Sequence, residues 1–225
     1  MSFLIAVEGV DASGKQTHSQ LLYDHLVASG KAVRRLDFPV YDSDSSAGVR
    51  MYLNGELGEH AEDVSAYAAS TLFAADRFLS YKKDWHTDYE SGKIILCDRY
   101  VGSNMIHQAC KLSGEEREKF LNWLDDFEFG IYNLPRPDLT LFLDMPPEFA
   151  LEIIKNRNNK IDNSDKPDIH ERDNEYLEKS YKNACDIAER FGWTRISSVQ
   201  GGRLRMIEDI SSEICWYADR IINNN

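Results

Sequence analysis

Residues 8–17 read EGVDASGKQT, and the fold turns on how that stretch is taken. It follows a short apolar run, Phe3 to Val7, and opens a helix-like pattern that begins at Lys15. A strand, a glycine-bearing turn and a helix, in that order, make the context that a phosphate-binding loop requires. Glycine lets successive backbone N–H groups turn inward, the helix N-terminus adds partial positive charge, and a lysine placed as Lys15 is can reach the β- and γ-phosphates of a nucleotide. Gly9, Val10, Asp11, Ala12, Ser13, Gly14, Lys15, Gln16 and Thr17 are therefore the candidate nucleotide-binding residues. In the usual loop a Ser or Thr hydroxyl after the lysine ligates Mg²⁺. Gln16 stands there instead, so the metal falls to its carbonyl, to Thr17 or to carboxylates elsewhere. The competing reading is a strand-to-helix turn that binds nothing.

Four further runs extend the pattern: KAVRRLDF (31–38), KIILC (93–97), DLTLFL (138–143) and WTRISSV (193–199). They are apolar without strict alternation and are separated by helical patterns. This predicts a doubly wound α/β fold, a five-stranded parallel sheet flanked by helices. The second run is more polar and is expected nearer an edge. Val64, Tyr67, Ala68, Thr71, Leu72, Ala75, Phe78 and Leu79 step by three and four, as do Ile207, Ile210, Ile214, Tyr217 and Ile221, which predicts two one-sided helices. Gly30 suits the cap of the helix begun at Lys15, and Pro146-Pro147 suits a helix opening at Glu148. No repeat or linker interrupts the chain, so one domain is expected over residues 1–225. The polar segment NRNNKIDNSDKPD (156–168) has one large apolar residue, Ile161, and is expected to be a mobile surface segment.

A net charge of −12 disfavours nucleic acid and anionic membranes as partners. Any phosphate ligand must then be gripped locally. Cys97, Cys110, Cys185 and Cys215 lie far apart with no CxxC pair, which suggests reduced thiols rather than a disulfide framework or a zinc site. No basic segment precedes the first apolar run, and no run approaches about 18 apolar residues, so a soluble cytoplasmic protein is expected.

Two more motifs carry chemistry. Asp98-Arg99 closes the third apolar run, and ligands in open α/β sheets bind beyond the carboxyl ends of strands. A carboxylate there can order Mg²⁺, and a guanidinium can bridge phosphoryl groups; the bland reading is a surface salt bridge. Phe73 and Arg77 lie four residues apart on one helix side, where ring and fork could stack on and hydrogen-bond a planar base. A core phenylalanine and an ordinary surface arginine would read the same.

EGVDASGK, FPVY, LFAADR, DRYVGSN and LDMPPEFALE occur in the order and spacing of thymidylate kinases, which the chain resembles over nearly its whole length. LFAADR followed some 20 residues later by DRY is the discriminating part. The resemblance implies a P-loop kinase that transfers a phosphoryl group from ATP, with Mg²⁺, to dTMP, giving dTDP. It implies that Asp11 meets the sugar 3′-hydroxyl, Lys15 the ATP phosphates, and Arg99 both donor and acceptor phosphates. Asp98 would stand near the metal, with Gln16 as the loop's own candidate. Phe73 would stack on thymine, Arg77 would hydrogen-bond it, and Phe38 and Pro39 would flank the acceptor. Ser103, Asn104 and Gln108 would line the base pocket, with His107 where many bacterial members have a tyrosine near the sugar's 2′ position. Members lacking a loop arginine, as here with Ala12, use basic residues of a lid. The resemblance thus implies a lid over residues 156–171, with Arg157, Lys160 and Lys166 as its cations and Glu171 facing the phosphates. It also implies a homodimer through helices that include LFAADR, with Tyr67, Leu72 and Leu79 as interface or core. The rival expectations are a related deoxynucleotide kinase of broader acceptor range and a nucleotide-binding module without turnover.

Overall fold

The computed structural model describes residues 2–158 and 174–224. Five strands, β1 (Phe3–Glu8), β2 (Val33–Asp37), β3 (Ile94–Asp98), β4 (Leu139–Asp144) and β5 (Thr194–Ser197), form one parallel sheet in the order β2-β3-β1-β4-β5. Strand β2 lies at an edge, as its polarity predicts. Helices α1 (Lys15–Ala28), α2 (Ala47–Leu53), α3 (Ala66–Ser80), α4 (His86–Glu90), α5 (Val101–His107), α6 (Gly114–Asp125), α7 (Pro147–Asn158), α8 (Asn174–Arg190) and α9 (Ile207–Asn224) surround it.

Both faces of the sheet are covered, which is why its strands do not alternate. On β1, Leu4 and Ala6 point to one side, among Trp85, Tyr100, Met105 and Phe120. Phe3, Ile5 and Val7 point to the other, among Leu22, Leu26, Ile210 and Ile214. All six residues of β1 are buried. Each fully buried aliphatic side chain contributes about 1.5–3 kcal/mol of hydrophobic stabilisation.

Strands β1 and β3 are neighbours whose outgoing connections run to opposite flanks, β1 to β2 and β3 to β4. Such a switch point opens a crevice beyond the strand ends, where ligands bind in open α/β sheets. The turns Gly9–Gly14 and Arg99–Tyr100 both leave from it.

Three expectations change. The last run ends as a strand at Ser197, and its tail enters a small antiparallel hairpin, β6 (Val199–Gln200) and β7 (Arg203–Leu204), turned by Gly201 and Gly202 at positive φ. Helix α3 does not bury the predicted stripe. Its buried side is Ala66, Ala69, Ser70, Ala74, Asp76, Arg77 and Ser80, while Tyr67 and Leu79 are 39% and 48% exposed. Small residues let α3 sit close to its neighbours; Leu72 and Phe73 pack half-buried against the cluster around Val49 and Tyr52, and only Tyr67 and Leu79 among its large apolar residues turn outward. Helix α7 opens at Pro147, one residue before the expected Glu148, and continues to Asn158, so the first three residues expected in the lid are helical. Lys160, Lys166 and Glu171, and the side chain of Arg157, lie outside the described residues.

Candidate active site

The loop after β1 is held in strained backbone that its glycines permit. Gly14 has φ +83°, and Gly9 has no room for a side chain: a Cβ there would stand 2.6 Å from Ser13 Oγ and 2.9 Å from the Leu143 carbonyl. Ala12 also takes a positive φ of 59°. Lys15, 6% exposed, folds across the loop and donates to the Val10 carbonyl at 2.7 Å and to Ser13 Oγ at 3.3 Å. Burial lowers its pKa to about 8, with nearby Arg99 pushing the same way. Gln16 and Thr17 lie exposed on the first turn of α1.

At the end of β3, Asp98 sits across from Asp37 in the parallel register. Ser19 Oγ on α1 donates to Asp98 Oδ2 at 3.4 Å, and Arg35 Nη2 lies 3.8 Å from the same atom. Asp37 is pushed up by burial and further by the like charge of Asp98, although Arg35 works against this. Arg99 follows in left-handed backbone, φ 66°. Its Nη2 donates to Asp11 Oδ1 at 2.5 Å, and Nη1 stands 3.3 Å from His107 Nε2. Burial works against the Arg99 charge, but Asp11 and Asp98 raise its pKa on balance. The expected pair of turns therefore meets, and Asp11 bonded to Arg99 is the joint.

A cleft of about 540 Å³ opens beside that joint. It is lined by Asp11, Phe38, Pro39, Tyr41, Leu53, Phe73, Asp76, Arg77, Arg99, Ser103, Asn104, His107 and Gln108. Every acceptor-side residue that the resemblance implies is on this wall. Phe73 packs edge-on against Tyr52, with centroids 6.1 Å apart. Gln108 is fully buried, and neither of its amide atoms has a partner among the described residues. Buried amides are rarely left so, and a bound ligand group is one way to satisfy them.

Three carboxylates here have partners remote along the chain that no motif names, although Glu8 and Asp76 stand inside EGVDASGK and LFAADR. Glu8, fully buried, accepts from Tyr100 N at 2.8 Å and from Ser103 Oγ at 2.6 Å, so the Ser103 hydroxyl is engaged in tying β1 to the Arg99 turn. Burial pushes the Glu8 pKa up. Gly102 is part of that tie, since a Cβ there would come within 2.8 Å of Glu8 Oε1 and 2.7 Å of the Trp193 ring. Asp76 accepts from Val40 N at 2.9 Å and Ser45 Oγ at 2.5 Å, fixing the segment beyond the cis Phe38-Pro39 bond. Glu128 pairs with Arg77 through two 2.6 Å hydrogen bonds. Arg77 is thus buried and paired, not the surface arginine of the bland reading.

Magnesium bound together with a nucleotide needs only one or two protein carboxylates, the phosphates and water supplying the rest. Among the described residues no group of three or more His, Cys, Asp or Glu side chains could hold a metal by itself. Asp98 at the strand end, with Asp37 beside it, fits the lighter requirement.

A family model described as thymidylate kinase matches residues 7–208. A thymidylate kinase of Mycobacterium tuberculosis is 34% identical over 194 residues, covering 84% of this chain and 87% of its own. A probable thymidylate kinase of Pyrococcus horikoshii is 32% identical over 212 residues, covering 94% and 93%. One of Thermococcus gammatolerans is 29% identical over 225 residues, covering 99% and 98%.

Proposed function

The chain belongs to the thymidylate kinase family and catalyses the ATP-dependent phosphorylation of dTMP to dTDP; we propose that it does so in the cleft between the phosphate loop and the Phe73–Arg77 wall. The observation that carries this assignment of the site is the Asp11–Arg99 joint, where the donor-binding loop and an aromatic, donor-rich pocket share one edge.

In this reading the γ-phosphoryl group moves to an oxygen of the dTMP phosphate. A new P–O bond forms there, the bond to the β–γ bridging oxygen breaks, and ADP leaves with that electron pair. Such chemistry asks the protein for positioning and charge neutralisation. Lys15 leaves Val10 and Ser13 for the ATP phosphates. Arg99 leaves Asp11 for the phosphates on either side of the transfer, and Asp11 is then released to accept from the sugar 3′-hydroxyl. Phe73 stacks on the base, and Arg77 and Asn104 read its edge. Asp98 would hold Mg²⁺, directly or through water, with Gln16 or Thr17 on the loop side. The ion, when bound, neutralises charge on the phosphates. Arg157, Lys160 and Lys166 are the lid cations proposed to complete that neutralisation, and Glu171 the acidic residue facing the phosphates.

Three wider properties belong to the same proposal. The outward apolar side of α3 supports a homodimer. Four unpaired cysteines suit a reducing compartment, here the cytoplasm. Among the described residues no helix is long and apolar enough to cross a membrane.

ADP release with ATP, Mg²⁺ and a panel of acceptors (dTMP, dUMP, ribosyl TMP, dCMP, dGMP, AMP and none) tests the site. Turnover on dTMP that disappears in Lys15→Ala and Arg99→Ala supports it; ATP binding without acceptor-dependent turnover would leave only a binding module. The ribosyl arm bears on a broader acceptor range, because His107, which lines the cleft 3.3 Å from Arg99, stands where many bacterial members have a tyrosine near the sugar's 2′ position.

A further inference from the structure

Glu128 lies on the π-helical turn Asp126–Ile131 that follows α6, and it is 0% exposed. Its two oxygens take the Nε and Nη2 of Arg77, and Oε1 also accepts from Asn104 Nδ2 at 3.1 Å. The other Asn104 N–H donates to the Ser70 carbonyl at 3.2 Å. A carboxylate and a carbonyl are acceptors only, so together they hold the NH₂ end of the Asn104 amide against the protein. Oδ1 is the group left for a base. Arg77 is oriented by the same carboxylate. Its Nε–Nη2 edge is occupied by Glu128, Nη1 has the Tyr100 carbonyl at 3.4 Å, and the N–H bonds that remain are donors. Asn104 and Arg77 therefore offer the cleft one acceptor and one set of donors on a common wall.

We infer that Glu128 is the positioning residue that sets the polarity of base recognition, favouring 4-oxo over 4-amino pyrimidine nucleotides by fixing both the Asn104 amide and the Arg77 fork. A 4-oxo pyrimidine presents an N3–H donor and an O4 acceptor, which match Asn104 Oδ1 and Arg77. Cytosine presents an N3 acceptor and an N4 amino donor, opposed at both places. The 5-methyl group plays no part in this distinction. The inference rests on the assignment of Arg77 and Asn104 to the base.

The test compares kcat/KM for dTMP, dUMP and dCMP in the wild type and two variants. Wild-type preference for dUMP over dCMP, which differ only at the N3–C4 edge, should be at least about 100-fold, because a site built to hydrogen-bond one pattern leaves its buried groups unpaired with the other. Glu128→Gln removes the charge and one acceptor, which frees the Asn104 amide to turn. The dTMP:dCMP ratio should fall by about 10-fold or more, with KM for dTMP rising more than kcat falls. Glu128→Asp keeps a charge for Arg77 but draws it back by one methylene from Asn104, and should also lower the ratio. It takes the place of Glu128→Gln if that variant lacks a cooperative melt. A purely structural role predicts equal losses on dTMP and dCMP, and that result overturns the inference, as does wild-type enzyme that accepts dCMP as readily as dUMP. Absence of wild-type turnover on dTMP would instead strike the assignment of the site.

Discussion

Before ATP arrives, Lys15 is folded onto its own loop, and burial holds its pKa at about 8. Phosphate oxygens favour the ammonium form, so ATP binding should raise that pKa. The sign follows: at pH 9, free protein with a pKa near 8 is about 90% deprotonated at this site and must take up nearly one proton on binding, whereas near pH 6.5 it is already charged and takes up none. Calorimetry in two buffers of different ionisation enthalpy reads the difference, and equal uptake at both pH values would refute it. The same shift makes the charged form a burden on folding below pH 8, relieved as pH rises toward the unfolded value near 10.5. Arg99 should behave differently, since Asp11 and Asp98 keep it charged throughout. Arg99→Ala should lower kcat/KM for dTMP by about 10²–10³, as loss of a preorganised charge does elsewhere, and initial-rate kinetics would show it. An unchanged value would remove Arg99 from the proposed chemistry. Lys15, Asp98, Arg99, Phe73 and Arg77 were legible because each sits in a short motif whose neighbours announce its place. The partners of Glu8, Asp76 and Glu128 were not, although the first two stand in the same motifs: Glu128 meets Arg77 across 51 residues, and an acidic residue gives no local sign of a distant partner.

Helix α3 marks the limit of periodicity as a guide to elements. A 3.6-residue period determines which side chains share a face, but says nothing about whether that face meets the chain's own core. Here Ala66, Ala69, Ser70 and Ala74 make the close contacts, and Tyr67 and Leu79 remain exposed. Tyr67 lies beside Phe120 and Trp123, with centroids 5.2 and 4.7 Å away, and Phe78 lies 4.6 Å from Tyr132. This places an aromatic band along α3, α6 and the turn after it, rooted on buried Phe120, and its exposed edge at Tyr67 and Leu79 is the sort of patch that associating proteins present. Leu79→Glu should therefore leave the fold intact and convert the proposed dimer to monomer, as sedimentation at micromolar protein would show. A wild type that sediments as a monomer would dispose of the dimer altogether. By contrast Phe120, 0% exposed within the core, should lose about 3–5 kcal/mol on change to Ala, measurable by urea unfolding. Strands β1, β3 and β4 were legible because burial on both faces leaves continuous apolar runs, and the more polar β2 and β5 because they repeat the spacing between helical patterns. The hairpin after β5 was not, because two-residue strands carry no period, and neither π-helical turn, Tyr81–Trp85 or Asp126–Ile131, has a composition that distinguishes it from ordinary helix.

For the molecule as a whole, the sheet order and the site agree: the motifs lie at the ends of β1 and β3 because the topology opens there. What the whole molecule adds is a field opposed to its substrates. A chain of net charge −12 must admit two polyanions, and it does so with a few cations set inward, Lys15 and Arg99 among them. The two contributions differ in range. The repulsion is long-ranged and, with a Debye length of about 30 Å at 0.01 M salt and about 10 Å at 0.1 M, is mostly removed over that interval. The attraction acts at contact distance in partly buried geometry, where salt screens it less. Raising NaCl from 10 to 100 mM should therefore increase kcat/KM for dTMP by about two- to fivefold before a plateau, the reverse of the fall expected when a basic surface steers an anion. Stopped-flow association of a fluorescent dTMP analogue would locate the effect in the on-rate, where electrostatic steering acts. A steady decline in that rate from 10 mM upward would mean that the inward cations govern the field well beyond the cleft, and that the acidic surface is too distant from the mouth to influence entry.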